Sequence, residues 1–303
     1  MTTDAATSEC SRVERLRRRA LKGAGFVAFV VLLIVVLNLV SSWIWGRTTI
    51  WNYYRSQWSV EAAVTQKEAG DTQAALRSLD RAIELNPKNA EAYYRRAVVH
   101  YEANQSNEAI ADLLEAYAHA RSDAMRSQAC LMLGMVQHEN GNLRGAIEAL
   151  DRAVQYDPQL YDAYIVRSAV YAESDALDRA MADIERAIAL RPDFAEAYAN
   201  RAGIHAQQEQ WERARADADK AIDLDGNTVQ ARAVRGMVNF RQQQFQEAVA
   251  DLSVAIAGDS SRADYFELRA AAYRELGAVA MAEADAAESS RLQETGTGTV
   301  NNP

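Results

Sequence analysis

Tyr161–Phe194 reads YDAYIVRSAVYAESDALDRAMADIERAIALRPDF, and the next 34 residues, Ala195–Thr228, read AEAYANRAGIHAQQEQWERARADADKAIDLDGNT. Near-repetition at such a period means that one supersecondary unit is being stacked, because a single unit cannot bury its own apolar face. Laid over the whole chain, the frame starts units at Ser56, Ala90, Ser127, Tyr161, Ala195, Val229 and Ala263. All spacings are 34 except one of 37, where Ala124–Arg126 are extra.

Within the frame two places are nearly invariant and a third is partly so. The eighth is small in every unit: Ala63, Ala97, Gly134, Ser168, Ala202, Gly236 and Ala270. The twentieth is always alanine: Ala75, Ala109, Ala146, Ala180, Ala214, Ala248 and Ala282. The thirty-second is proline in three units, Pro87, Pro158 and Pro192, which suits a turn because proline cannot continue a helix. The pattern over Ser56–Leu292 resembles the tetratricopeptide repeat (TPR) family. That resemblance implies an all-α solenoid of about seven helical hairpins, two antiparallel helices per unit, with small residues where the paired helices cross.

Composition agrees with a long helical array. The 303 residues are 49% hydrophobic with only 4 Pro and 14 Gly, which excludes collagen-like and disordered classes. Two cysteines make no disulfide framework. Cys130 stands at the fourth place of its unit, where other units carry Tyr93, Tyr164, Tyr198 and Phe266, and so reads as a buried small hydrophobe.

The N-terminal part has its own organisation. Met1–Lys22 is a basic tail in which Arg12, Arg15, Arg17, Arg18, Arg19 and Lys22 outweigh Asp4, Glu9 and Glu14. Residues 23–46, GAGFVAFVVLLIVVLNLVSSWIWG, contain no charge. As a helix they would extend about 36 Å, enough for a hydrocarbon core of about 30 Å. Basic residues on one side and Trp43, Trp45, Trp51, Tyr53 and Tyr54 on the other orient such a segment with Met1 in the cytoplasm. The expectation is a signal anchor: a single-pass protein of a bacterial inner membrane, with the repeats on the periplasmic or extracytoplasmic side. Cleavage after Val40-Ser41-Ser42 is the competing reading. Residues 47–55 form a juxtamembrane connector in this scheme, 56–292 the array, and 293–303 a disordered tail.

The repeats also permit a comparison among themselves. The seventh place is Arg96, Arg167, Arg201, Arg235 and Arg269, and the twenty-third of the same units is Asp112, Asp183, Asp217, Asp251 and Asp285. The other two units lose both members together, as Ala62 with Ser78 and Leu133 with Ala149. Paired loss predicts five guanidinium–carboxylate bridges between the two helices of a hairpin, or to the adjoining unit.

No catalytic chemistry is visible. His100, His119, His138 and His205 fall in no metal-ligand spacing, and no phosphate-cradling glycine loop or nucleophile elbow occurs. The reading is therefore non-enzymatic, with no cofactor, no metal and no small-molecule substrate. Beyond the tail, 27 basic residues face 39 acidic ones, which disfavours nucleic acid.

Function is then sought on the inner wall. In the family that the repeats resemble, the first helix of each unit lines a concave groove near places two, five, six, nine, twelve and thirteen. Carried onto this sequence, these give Tyr94, Val98 and Tyr101, then Leu131, Met132, Met135 and His138, then Ile165 and Val166, then Asn200 and Gly203, and finally Val234, Met237 and Phe240. Ala199, Gly203 and Ala206 are small and would leave a pocket. Glu91, Glu102, Glu139, Asp162, Glu173 and Glu196 form an acidic rim. Some relatives clamp a partner's C-terminal carboxylate with inward Lys, Asn and Arg; here Leu131, Ile165 and Val166 stand at comparable places, which argues against that clamp. The expected partner is a protein or peptide with apolar anchors and basic flanks. The expected role is a membrane-tethered scaffold for envelope complex assembly or chaperone-like work. The alternatives are an organelle import receptor with cytosolic repeats, or a secreted binding module after signal cleavage.

Overall fold

The computed structural model describes residues 49–297, and all regular structure among them is α-helical. It forms two compact bodies, divided between Ala92 and Tyr93. In the first body, α1 (residues 49–68) is followed by α2 (Thr72–Leu85). The second is a solenoid of six hairpins: α3 (Ala90–Glu102) with α4 (Ser106–His119), α5 (Asp123–Glu139) with α6 (Leu143–Tyr156), α7 (Tyr161–Glu173) with α8 (Leu177–Leu190), α9 (Ala195–Gln207) with α10 (Trp211–Leu224), α11 (Val229–Arg241) with α12 (Phe245–Gly258), and α13 (Ala263–Glu275) with α14 (Val279–Thr297). The three extra residues lengthen α5 to 17 residues, against 13 in α7, and Ser122 caps the added turn by accepting a hydrogen bond from the Met125 amide at 3.2 Å.

Two boundaries differ from expectation. Residues 49–55, read as connector, are helical because Ser56 and Val60 of the same helix are buried and draw it into the hairpin. At the other end α14 continues to Thr297, past Leu292, with Ser289 buried near its end. The basic tail with Cys10, the apolar stretch 23–46 and residues 298–303 lie outside the described residues. Among the described residues no helix is long and apolar enough to cross a membrane.

Each hairpin closes on one contact. The twenty-fourth place supplies the largest buried side chains, Leu79, Leu113, Leu150, Ile184 and Leu252, all under 2% exposed. They lie against the eighth place of the facing helix. A Cβ at Gly134 would stand 2.6 Å from Leu150 Cγ, and one at Gly236 would stand 2.8 Å from Leu252 Cγ. The recurrent alanines of the twentieth place are at most 2% exposed. Close approach, not helix propensity, therefore dictates these small residues.

The turn inside each unit has a single conformation. The fifteenth place is left-handed in all seven: Gly70, Asn104, Gly141, Asp175, Glu209, Gln243 and Gly277, with φ between 57° and 81°. Glycine, Asn and Asp tolerate this region; Glu209 and Gln243 do so at a cost.

All five bridges implied by the paired losses are present, each bidentate, with Nε and Nη2 donating to the two carboxylate oxygens at 2.7–2.8 Å. In three of the five the third nitrogen reaches back to the preceding unit. Arg167 Nη1 donates to Asp151 at 2.7 Å, Arg235 Nη1 to Asp219 at 2.9 Å, and Arg269 Nη1 to Ser253 Oγ at 3.0 Å. One guanidinium thus ties helix to helix and unit to unit. Burial opposes the charge on Arg167, yet the hydrogen bonds to Asp183 and Asp151 outweigh it and hold its pKa above the ordinary arginine value.

Three outcomes follow from this packing. Arg167→Ala strands Asp183, and should lower stability to urea by about 3 kcal/mol, whereas Arg167→Met with Asp183→Leu should recover most of it. Gln243→Gly relieves the left-handed turn and should raise stability by about 1 kcal/mol in the same assay. Cys130 is buried, which pushes its thiol up to about 11 against a smaller lowering by Arg152. In a Cys10→Ser background, iodoacetamide should leave native Cys130 unmodified at neutral pH and alkylate it once the protein is unfolded.

Candidate functional site

The first helices of neighbouring hairpins lie side by side, and the wall they form changes character along the solenoid. In its early part adjacent hairpins are joined across the wall. The Tyr101 hydroxyl donates to Glu139, a hydrogen bond that together with burial and the carboxylate charge pushes the phenol up to about 12. One unit on, His138 Nε2 lies 2.6 Å from Glu173 Oε2. Both contacts run from the twelfth place of one unit to the thirteenth of the next, so two of the expected rim acids are engaged by neighbours. Continuing the series, the twelfth place becomes Ala172 and then Ala206, which carry no polar group.

A cleft of about 1020 Å³ lies among α9, α11 and α13. Its apolar lining includes Ala206, Ala233, Val234, Met237, Leu268 and Ala271. Gly203 lines it too, and a Cβ added there would meet only Gln230 Nε2 at 3.5 Å. The space has a cause in the core beneath: the hairpin α9–α10 places Ala218 where five of the other six units have Leu or Ile, and packs around Ala202, Ala206, Ala214 and Val234 with Trp211 beside them.

The rim of the cleft is acidic on balance. Glu209, Asp259, Asp264 and Glu267 face Arg241 and Arg262. Both arginines are engaged. Arg262 makes a bidentate pair with Asp264 at 2.7 and 2.9 Å and lies over the Tyr265 ring at 4.9 Å, while Arg241 lies over Trp211 at 5.3 Å. Ser261 donates to Asp259 from its hydroxyl and its amide, which holds that carboxyl below its ordinary range. An unfilled apolar slot with surplus carboxylate at its edge can take an apolar side chain flanked by a cation.

Of the wall residues named from sequence, the structure brings Gly203 and Met237 together in the cleft, with Val234 and Ala206. Others pack between hairpins. Tyr94, Tyr101 and Met132 lie against the core around Leu113 and Val136; Leu131 and Val166 lie against Cys130 and Leu150; Ile165 lies against Tyr171 and Ile184. Val98, Met135, His138 and Asn200 are half-buried, and Phe240 packs edge-on against Phe245 with ring centroids 5.6 Å apart. Ala199 is fully buried with Ala221 and Ala231 and contributes no space. The sequence reading passed over α13. Applying places two, five, six and nine to that unit yields Asp264, Glu267, Leu268 and Ala271, all of which line the cleft.

Family models of the tetratricopeptide repeat match residues 131–193 and 168–239, and a TPR-repeat model matches residues 67–104. The hairpins within these matched residues are tetratricopeptide repeats. No curated protein matches the chain. Among solved structures, a tetratricopeptide repeat protein from Parabacteroides merdae superposes with a TM-score of 0.65 at 14% identity, over 79% of this chain and 93% of that one. The APC/C hetero-tetramer Cut9-Hcn1 gives a TM-score of 0.62 at 15% identity, over 72% of this chain and 42% of that one. The pilF protein of Pseudomonas aeruginosa gives 0.61 at 16% identity, over 72% of this chain and 98% of that one. At these identities the likeness concerns the TPR fold alone. Among the described residues no group of three His, Cys, Asp or Glu side chains is placed to hold a metal ion.

Proposed function

We propose that this TPR chain is a non-enzymatic protein-interaction scaffold that holds a peptide or helix of a partner in the α9–α11–α13 cleft. The observation that carries the reading is the cleft itself, a slot of about 1020 Å³ with an apolar floor and an acidic rim. An apolar anchor enters beside Gly203 and Met237, and a basic flank meets Glu209 and Glu267. Those two carboxylates carry no ion pair among the described residues, so a partner's lysine or arginine supplies their counter-charge. Methionine at the centre of the slot adapts to anchors of different shape.

The scaffold is tethered. The support is sequence chemistry: 24 uncharged residues from Gly23 to Gly46, six basic residues before them, and aromatic residues after them. In this reading Met1 faces the cytoplasm and the repeats work on the extracytoplasmic side of a bacterial inner membrane, in envelope complex assembly or a chaperone-like role.

Gly203→Leu tests the cleft without disturbing the fold, because the added side chain points into open space and leucine favours the helix. Peptides selected on the wild-type protein from a random display library should share an apolar residue next to Lys or Arg. Their affinity for Gly203→Leu should fall roughly thirtyfold, the equivalent of about 2 kcal/mol of apolar burial. Unchanged affinity with unchanged circular dichroism would place binding elsewhere on the chain.

A further inference from the structure

The first body carries a surface that the hairpin does not use. Along α1, Ile50, Trp51, Tyr54 and Trp58 are each more than half exposed. At 100° per residue Trp51, Tyr54 and Trp58 share one stripe, opposite the face on which Ser56, Val60 and Ala63 are buried. The rings of Trp51 and Trp58 meet edge to face at 6.5 Å. Helix α1 is thus apolar on two sides, and only one of them packs against its own hairpin.

A basic hollow adjoins the stripe. Trp58 forms part of its wall, together with Arg55 on α1 and Arg77 and Arg81 on α2. The hollow has a volume of about 400 Å³, and none of its lining residues is acidic. Arg81 also pairs with Glu84 at 2.8 Å, which leaves the local balance positive.

Exposed tryptophan and tyrosine beside arginine are the chemistry of a bilayer interface: amphipathic rings sit at headgroup depth, and guanidinium groups bind phosphate. Sequence position says what covers the stripe. The uncharged run ends at Gly46, four residues before Ile50. We infer that α1 docks along the surface of the membrane, its aromatic stripe at the level of the headgroups and the Arg55–Arg77–Arg81 hollow holding the phosphate of an anionic phospholipid. The inference rests on the tethered reading above and concerns what the first hairpin does once tethered. It gives the hairpin a role separate from the cleft, namely holding α1 on the lipid surface.

The test uses the full-length chain with Cys10→Ser, Cys130→Ala and a spin label on Tyr54→Cys. The vesicles are equimolar phosphatidylcholine and phosphatidylglycerol. The label should show an oxygen-to-nickel-chelate accessibility ratio several-fold above that of a control label on Glu68→Cys, and Trp51→Ser with Trp58→Ser should abolish the excess. Arg55→Gln, Arg77→Gln and Arg81→Gln together should erase the difference between these vesicles and pure phosphatidylcholine. Arg77→Gln alone, on an exposed helix face, should reduce it if the triple variant fails to fold. A ratio equal to the control while the chain floats with the vesicles overturns the inference and leaves the tether standing. A chain that does not float overturns both. No dependence on phosphatidylglycerol overturns the phosphate hollow, as does release of the label to water by inorganic phosphate, which would mark a site for the free anion.

Discussion

The hairpins depend on two helix backbones coming close enough that a large side chain on one lies over a nearly bare stretch of the other. Leu150 and Leu252 occupy the space where a Cβ at Gly134 or Gly236 would have to be. Beside that apolar contact runs the polar layer of the seventh and twenty-third places, in which a planar guanidinium meets a carboxylate through two parallel hydrogen bonds. Burying charges does not by itself stabilise a protein. In three of the five units the geometry has a further consequence: the same arginine reaches back to Asp151, Asp219 or Ser253 of the preceding unit. Helix pairing and unit stacking therefore share one side chain, and neither can shift without breaking the other.

Against this regular frame the departures carry the functional content. The first wall contacts, Tyr101 with Glu139 and His138 with Glu173, close the inner surface by tying one unit to the next. Alanine at the following two places removes the tie, and an alanine-rich core under α9 removes volume as well. The cleft among α9, α11 and α13 results from subtraction: the frame is unchanged, and the side chains that would fill it are missing. Around the slot the hairpins keep their arginine layer, Arg201 with Asp217 and Arg235 with Asp251.

The first hairpin departs differently. It lacks the Arg–Asp pair, with Ala62 and Ser78 in those places, and its polar contact is a Ser78 hydroxyl donating to Gln66 at 2.8 Å. A buried serine substitutes for part of the missing layer: Ser56 Oγ donates to the Ala82 carbonyl and accepts from Asn89, both at 2.8 Å. With its buried face satisfied in this way, α1 presents Trp51, Tyr54 and Trp58 outward.

The repeat period, the small eighth place, the alanine of the twentieth and the five Arg–Asp partnerships were all legible in the chain, because each recurs at a fixed offset and so reports the same local contact several times over. The left-handed fifteenth place was hidden by its chemistry: glycine, Asn, Asp, Glu and Gln all occupy it, and no single residue type marks the turn. The inner wall was legible as a register but not as a site. Leu131, Ile165 and Val166 share that register with Met237, yet they fill the seams between hairpins, while Met237 borders open space. Which apolar residue packs and which is left facing solvent depends on the volumes of its neighbours on two other helices, and that sum is made only when the hairpins are stacked.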